Sequence, residues 1–393
     1  MRSRSLSQAV LTEDWQHGGF GLYIHWPFCM AKCPYCDFNS HVSAQIDQDV
    51  WADAYVSEIE RVGRLTPHRL LRSVFFGGGT PSLMEPRVVD RVITKVRETW
   101  PTANDVEITL EANPTSVEAN RFAGYRAAGV NRISMGIQAL NDPDLRRLGR
   151  MHTASEALAA FDIARRHFDR VSFDLIYARQ DQTEKDWEHE LRLALTLAVD
   201  HLSLYQLTIE DGTAFGDRYR IGKLRGLPDE DRAANLYEIT QALCQDGGMP
   251  AYEVSNHAKP GCESIHNLMY WHCGDYVGIG PGAHGRLTLD GIRYATEAAR
   301  APKQWLAAIR SSTQETVDAL TSHDQAVELL LMGLRVNEGI RNSRLESFVG
   351  NKYTHNINRL VDIGMLERAD DMVRVTAAGR PLLNAVLREI TAD

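Results

Sequence analysis

Short apolar runs rich in β-branched and aromatic residues recur along the first half of the chain, at 21–25, 73–76, 106–110, 132–135, 171–175 and 201–205. Between them lie longer stretches whose apolar positions fall at helical spacing, at 49–65, 87–100, 117–128, 155–166 and 184–198. Short strands alternating with amphipathic helices predict βα units and a parallel sheet. Six strands within about 205 residues are too few to close an eight-stranded barrel. The expected fold is α/β, an open partial (β/α)6 barrel rather than a doubly wound sheet.

Beyond residue 205 the alternation stops. A Gly- and Arg-rich loop at 211–228 leads into a helix at 229–245, and a Gly-, Pro- and His-rich stretch runs from 247 to 285. Farther on, helices at 324–335, 343–349 and 352–363 precede a hairpin at 365–375 and a last helix after Thr376. That order predicts a small, mostly helical, winged-helix-like domain. The expected division is a tail at 1–18, the partial barrel at 19–250, a middle region at 251–318 and the C-terminal domain at 319–393.

Composition narrows the function classes. Of 393 residues, 44% are hydrophobic and 24% charged, ordinary values for a globular protein. The first 19 residues hold Arg2, Arg4, Glu13 and Asp14 without an apolar core, so a secretory signal is not expected. No run approaches the ~18 apolar residues that span a bilayer. A cytoplasmic setting is therefore expected, where clustered cysteines hold metal or do chemistry. A net charge of −9 argues against nucleic acid as partner. The C-terminal region from Ala319 agrees: it carries ten acidic and nine basic side chains, so no basic recognition face is expected.

Just past the first predicted strand, Cys29, Cys33 and Cys36 stand in a C-x3-C-x2-C pattern. Three close thiolates can each ligate one iron of a [4Fe–4S] cubane and leave the fourth iron open. An amino acid's amino and carboxylate groups can chelate that iron and bring a sulfonium beside a one-electron donor. A structural zinc site would need a fourth ligand, for which His25 or Asp37 are candidates. Cys244, Cys262 and Cys273 are scattered and read as incidental thiols.

The second strand runs into Phe75-Phe76-Gly77-Gly78-Gly79-Thr80-Pro81. Its glycines would let backbone come close to a ligand. The Gly-Lys-Ser/Thr of a phosphate-binding loop is missing. Glu111 ends the third strand in Leu110-Glu111-Ala112-Asn113-Pro114, Gln138 follows the fourth, and Asp174 lies in the fifth.

Tyr23, His25, Pro27, Phe28, Cys29, Cys33, Tyr35 and Cys36 match Tyr-x-His-x-Pro-Phe-Cys-x3-Cys-x-Tyr-Cys. The chain thereby resembles the radical S-adenosylmethionine (SAM) superfamily, in its coproporphyrinogen-dehydrogenase-like branch, over most of its length. The resemblance implies that Cys29, Cys33 and Cys36 hold the cluster. It further implies that Tyr23, Gly78, Gly79, Thr80, Glu111, Gln138, Arg150 and Asp174 form the SAM site. In that site the glycine loop meets the methionyl ammonium and Arg150 the methionyl carboxylate. Where the family has Gly-Leu-Pro after the fifth strand, this chain reads Ala178-Arg179-Gln180.

Two features separate the chain from the dehydrogenases. Their further cysteine is replaced by Phe38, and only about 20 residues precede the first strand. Cys36-Asp37-Phe38-Asn39-Ser40 and His266-Asn267-Leu268-Met269-Tyr270-Trp271 instead resemble the HemW-type heme chaperones of the same branch. That resemblance implies heme as ligand, with His266 as an axial donor and Tyr270 and Trp271 beside the porphyrin. His257, His272 and His284 are alternative donors. Heme-requiring recipient proteins are the implied partners, often respiratory, with peripheral association at the inner membrane and a homodimer. A porphyrin-directed radical SAM enzyme is the competing expectation.

Overall fold

The structure is a computed structural model that describes residues 13–43, 45–311 and 315–392. Of the tail expected at 1–18, residues 1–12 lie outside the described residues. Six parallel strands stand side by side in chain order: β1 (Phe20–Trp26), β2 (Leu71–Gly78), β3 (Thr102–Ala112), β4 (Arg132–Gln138), β5 (Arg170–Tyr177) and β6 (His201–Gln206). A short antiparallel strand, β7 (Asn256–Ala258), ends one edge of the sheet. The other edge continues through β8 (Asp275–Ile279), parallel to β1, and then through antiparallel β9 (His284–Leu289), β10 (Ile292–Ala298) and β11 (Glu315–Ala319). The expected α/β partial barrel is present, with both edges of the sheet open.

The crossover helices are held by apolar stripes, and several have a capped start. In α1 (Gln48–Leu65) the Asp47 side chain caps Val50 N. In α2 (Pro86–Thr99) Val88, Val89, Val92, Ile93 and Val96 are buried against the sheet. Each such side chain contributes about 1.5–3 kcal/mol. The next helical segment is broken, with Ser116–Ala119 separate from α3 (Phe122–Ala128), where a single helix over 117–128 was expected. The buried Glu118 carboxylate accepts from Asn113 N at 2.8 Å, which turns that segment back onto the end of β3. Reciprocal capping boxes at Thr153/Glu156 and Thr183/Asp186 open α5 (Ala154–His167) and α6 (Glu184–Leu197). The short α4 (Asp142–Arg147), capped by Asn141, had no counterpart in the expected pattern.

The stretch at 247–285 holds more structure than its composition predicts. It contains β7, α9 (Ile265–Trp271) and β8, following α7 (Ala214–Arg220) and α8 (Glu230–Asp246). In β8 Gly278 interrupts the β-branched pair Val277 and Ile279, yet the packing requires it. A Cβ at Gly278 would lie 2.0 Å from the His284 carbonyl oxygen of the neighbouring strand. Helix α10 (Pro302–Ser311) returns to α1 through Trp305, whose ring stacks on Trp51 at 5.5 Å.

The C-terminal unit has its own core, formed where α11 (Ser322–Gly333), α12 (Asn342–Val349), α13 (Thr354–Asp362) and α14 (Leu383–Thr391) meet a three-stranded sheet. That sheet is β12 (Ile340–Arg341), β13 (Leu366–Ala369) and β14 (Met372–Val375). Ion pairs join it to the barrel, Arg286 to Glu328 at 2.6 Å and Arg344 to Asp14 at 2.7 Å.

Candidate functional site

The loop after β1 carries the three cysteines, and local pairing shapes it. Phe28–Cys29 runs parallel to His41–Val42, and Cys36 N donates to Cys33 O at 3.2 Å. The glycine loop after β2 is fastened to it, with Gly79 N donating to Trp26 O at 2.7 Å and Thr80 N to Phe28 O at 2.8 Å. A Cβ at Gly79 would stand 2.7 Å from Phe28 O, so this close approach needs glycine. Thr80 Oγ1 then reaches the Cys29 sulfur at 3.4 Å.

Four strand ends complete a cavity of about 150 Å³ lined by Cys29, Cys33, Cys36, Gly78, Gly79, Thr80, Glu111, Gln138, Arg150 and Asp174. Parallel strands collect these residues because their C-terminal ends share one side of the sheet. Glu111 accepts from Gly78 N at 3.3 Å. Burial, with the Asp174 charge second, pushes the Glu111 carboxyl up to about 8. Burial likewise raises Asp174 to about 6. Two acids held this way favour an arriving cation, which would restore their ionised form. A bulge between Gly136 and Gln138 places Gln138 at φ 76°, where its amide covers Gly136.

Arg150 joins both halves of the site. It donates to the Cys33 sulfur at 3.3 Å, to Asn113 Oδ1 at 2.6 Å and to Gly136 O at 2.8 Å. Asn113 in turn donates to Thr80 Oγ1 at 3.2 Å. The sequence reading missed Asn113 and Ser134, both of which line this cavity. Asn113 was signalled by its place two residues after Glu111 on the same strand end. Ser134 carries no such signal.

This donor set fits the implied groups. Cys29, Cys33 and Cys36 are unpaired thiols around one cavity. Among the described residues no three His, Cys, Asp or Glu side chains converge to chelate one ion. Thiolates that take separate corners of a cubane need no such convergence. The glycine cradle and the two raised acids suit an ammonium, and Arg150 suits a carboxylate.

Tyr23 stands outside this cavity. Its hydroxyl contacts His25 Nδ1 at 3.0 Å, and it lines a neighbouring cavity of about 550 Å³. A third and larger cavity, of about 770 Å³, opens between the barrel and the C-terminal unit. Phe38, 62% exposed, lines all three.

The His-Asn-x-x-Tyr-Trp segment forms α9, packed inside the barrel. A Cβ at Gly21 of β1 would lie 2.1 Å from the Met269 side chain. His266 is 3% exposed and stacks on Phe75 at 4.4 Å, with Nδ1 at 3.4 Å from Ser73 Oγ. Burial lowers its pKa to about 3. Tyr270 lines the cavity of about 550 Å³, whereas Trp271 lies under the Arg335 guanidinium at 5.6 Å. The three expected heme residues therefore face three different surroundings. His257 is fully buried, and His272 is tied to Glu338.

Comparison with known proteins agrees with this layout. The Radical SAM superfamily model matches residues 23–194, and the HemN C-terminal domain model matches residues 320–382. The chain is 36% identical to heme chaperone HemW of Escherichia coli (strain K12), over 95% of this chain and 98% of the relative. It is 34% identical to heme chaperone HemW of Mycobacterium tuberculosis (strain ATCC 25618 / H37Rv), over 94% of each. It is 41% identical to the mitochondrial radical S-adenosyl methionine domain-containing protein 1 of Mus musculus, over 83% of this chain and 75% of the relative. The solved structure of coproporphyrinogen III oxidase (HemN) from Escherichia coli superposes with a TM-score of 0.79 at 23% identity, over 96% of this chain and 92% of that one. This level of similarity over nearly the whole length places the chain in the HemN/HemW family of the radical SAM superfamily.

Proposed function

We propose that this protein is a heme chaperone, binding heme and passing it to heme-requiring recipients, among them respiratory proteins met at the periphery of the inner membrane from the cytoplasm. The observation that carries the reading is Phe38. An apolar ring stands at the meeting point of three cavities, where the dehydrogenase branch places a further cysteine. The charge of the larger cavity bears on the competing enzyme reading. Asp37, Asp174, Glu210 and Glu230 line it beside the protonated Glu111, against Arg335 and Arg380. Arg380 is already spent on the carbonyls of Leu334, Arg335 and Val336 and on the Asn337 side chain. Such a wall suits a tetracarboxylate porphyrinogen poorly.

In this reading Cys29, Cys33 and Cys36 hold a [4Fe–4S] cluster, while Glu111, Arg150 and the glycine loop hold SAM. When bound, these groups supply a one-electron donor beside a sulfonium. The chain's own contribution is orientation: Thr80 and Arg150 donate to cysteine sulfurs, and Glu111 stands ready to pair with a cation once its proton leaves. The proposal assigns the loaded site a structural or regulatory role, including support of a homodimer.

The deciding experiment gives the anaerobically reconstituted protein hemin and then a candidate apo-protein. Transfer is followed through the recipient's Soret band. A parallel sample receives SAM, reductant and coproporphyrinogen III. Heme transfer without protoporphyrinogen is the expected result, and sustained protoporphyrinogen formation would replace the carrier by an enzyme.

A further inference from the structure

Heme iron needs a donor atom that solvent can reach beside a cavity, and several histidines here offer none. His152, His201, His257 and His266 are buried. His25 has both ring nitrogens engaged, by Tyr23 OH at 3.0 Å and by Asn39 O at 2.9 Å. His41 keeps Nε2 buried without a hydrogen-bond partner among the described residues. His284 differs: its side chain is 52% exposed, and its nearest acid, Glu297, is 3.8 Å from Nε2. It lines the cavity of about 550 Å³ together with Tyr23, Tyr270 and Tyr276. That volume falls within the roughly 300–1,000 Å³ typical of small-molecule sites.

Resting on the chaperone reading, we propose that this cavity, between the cluster loop and strands β1, β8 and β9, is the heme pocket, with His284 as the iron ligand. His284 begins β9, where pairing with Glu297 of β10 and the close contact with Gly278 of β8 hold its backbone in place. A ligand on a paired strand presents its imidazole from a fixed point. Tyr270 and Tyr276 meet edge to face at 4.3 Å and offer an aromatic wall for the porphyrin plane. Cations are also present at the rim. Lys32, without an ion pair among the described residues, and the exposed Arg300, which Glu297 holds at 3.2 Å, line the cavity with the acid Asp37. Lys32 can take one propionate directly, and Arg300 a second by exchanging Glu297 for it. The same pocket gives the His-Asn-x-x-Tyr-Trp segment a part through Tyr270, while His266 supports that ring from behind at 4.6 Å.

The test is a hemin titration of the full-length protein and of His284→Ala, His266→Ala and Arg300→Gln, read by Soret position and by affinity. His284→Ala is expected to lose the histidine-ligated spectrum and to bind hemin at least tenfold more weakly. Added imidazole should restore the spectrum, showing that the pocket itself has remained folded. His266→Ala should keep the wild-type spectrum, and Arg300→Gln should weaken binding with an unchanged spectrum. Wild-type spectrum and affinity in His284→Ala would overturn this pocket and leave the carrier reading intact. Absence of hemin binding by the wild type would remove both.

Discussion

Arg150 holds its Nη2 2.6 Å from the side-chain oxygen of Asn113, bridging the ends of two barrel loops. The same guanidinium touches the Cys33 sulfur and the Gly136 carbonyl. A lysine ammonium cannot span all three acceptors. Arg150→Met should lower SAM affinity of the reconstituted protein about 10–100-fold, the loss of a charge-assisted bond of about 1.5–3 kcal/mol. Arg150→Lys should fall between. Calorimetric SAM titration measures both, and wild-type affinity in Arg150→Met would take Arg150 out of the site.

Cluster content should follow only three of the six cysteines. Alanine at Cys29, Cys33 or Cys36 should strip iron and acid-labile sulfide from the anaerobically purified protein. Alanine at Cys244, Cys262 or Cys273 should leave about four irons per chain. Elemental analysis gives the answer directly, and bound zinc in place of iron would contradict the assignment.

On the proposed reading, Glu111 should make SAM binding pH-dependent. Its carboxyl keeps its proton up to about pH 8, because burial and Asp174 both oppose ionisation. An incoming ammonium needs the carboxylate, so binding below pH 8 releases that proton. Affinity should therefore fall as pH drops from about 8, by up to tenfold per unit, and level off above. Glu111→Gln should bind more weakly with a flatter profile. The same sloping profile in the variant would point to another group.

Buried neutral histidines should weaken the fold in acid. His266, His152 and His257 have pKa values lowered to about 3, 4 and 4, with burial the largest cause for each. The unfolded chain takes up these protons near pH 6.5 whereas the native chain does not, so stability falls as pH drops below that value. Each group can cost about 1.4 kcal/mol per pH unit until its native pKa is reached. His266→Phe should make the decline between pH 6 and 4 shallower in denaturant titrations.

The loop after β5 tests the departure at Ala178-Arg179-Gln180. Ala178 sits at φ 58°, a left-handed conformation that glycine adopts more readily. Ala178→Gly should raise stability by about 0.5–1 kcal/mol once glycine's extra unfolded-state entropy is deducted. Arg179 is 3% exposed and pairs with Glu190 and with Asp144 at 2.9 Å. Arg179→Met should cost about 3–5 kcal/mol by leaving Glu190 buried without its partner. Urea unfolding midpoints separate the two effects.

The barrel and the grouping of the three thiols were legible because their signals are local. A β-branched run or a C-x3-C-x2-C spacing is contained in a few neighbouring residues, and parallel topology then gathers the strand ends. Arg150 could be named only through family resemblance, since nothing in its own neighbourhood says that it reaches Cys33, 117 positions away. The middle region was harder to read. Its strand β8 is only five residues long and is set in place by pairing with β1, Asp275 opposite Phe20.

By itself, the chain's order of residues determined the alternating βα units, the thiol trio and the glycine loop, because short-range spacing encodes each. Only the tertiary structure decided which histidine meets solvent. His266 and His284 are both polar residues near aromatics in one stretch, and local pattern treats them alike. Helix α9 packs inside the barrel and buries the first, whereas β9 presents the second at a cavity wall. Accessibility is a property of surfaces brought together from distant segments, and no local pattern contains it.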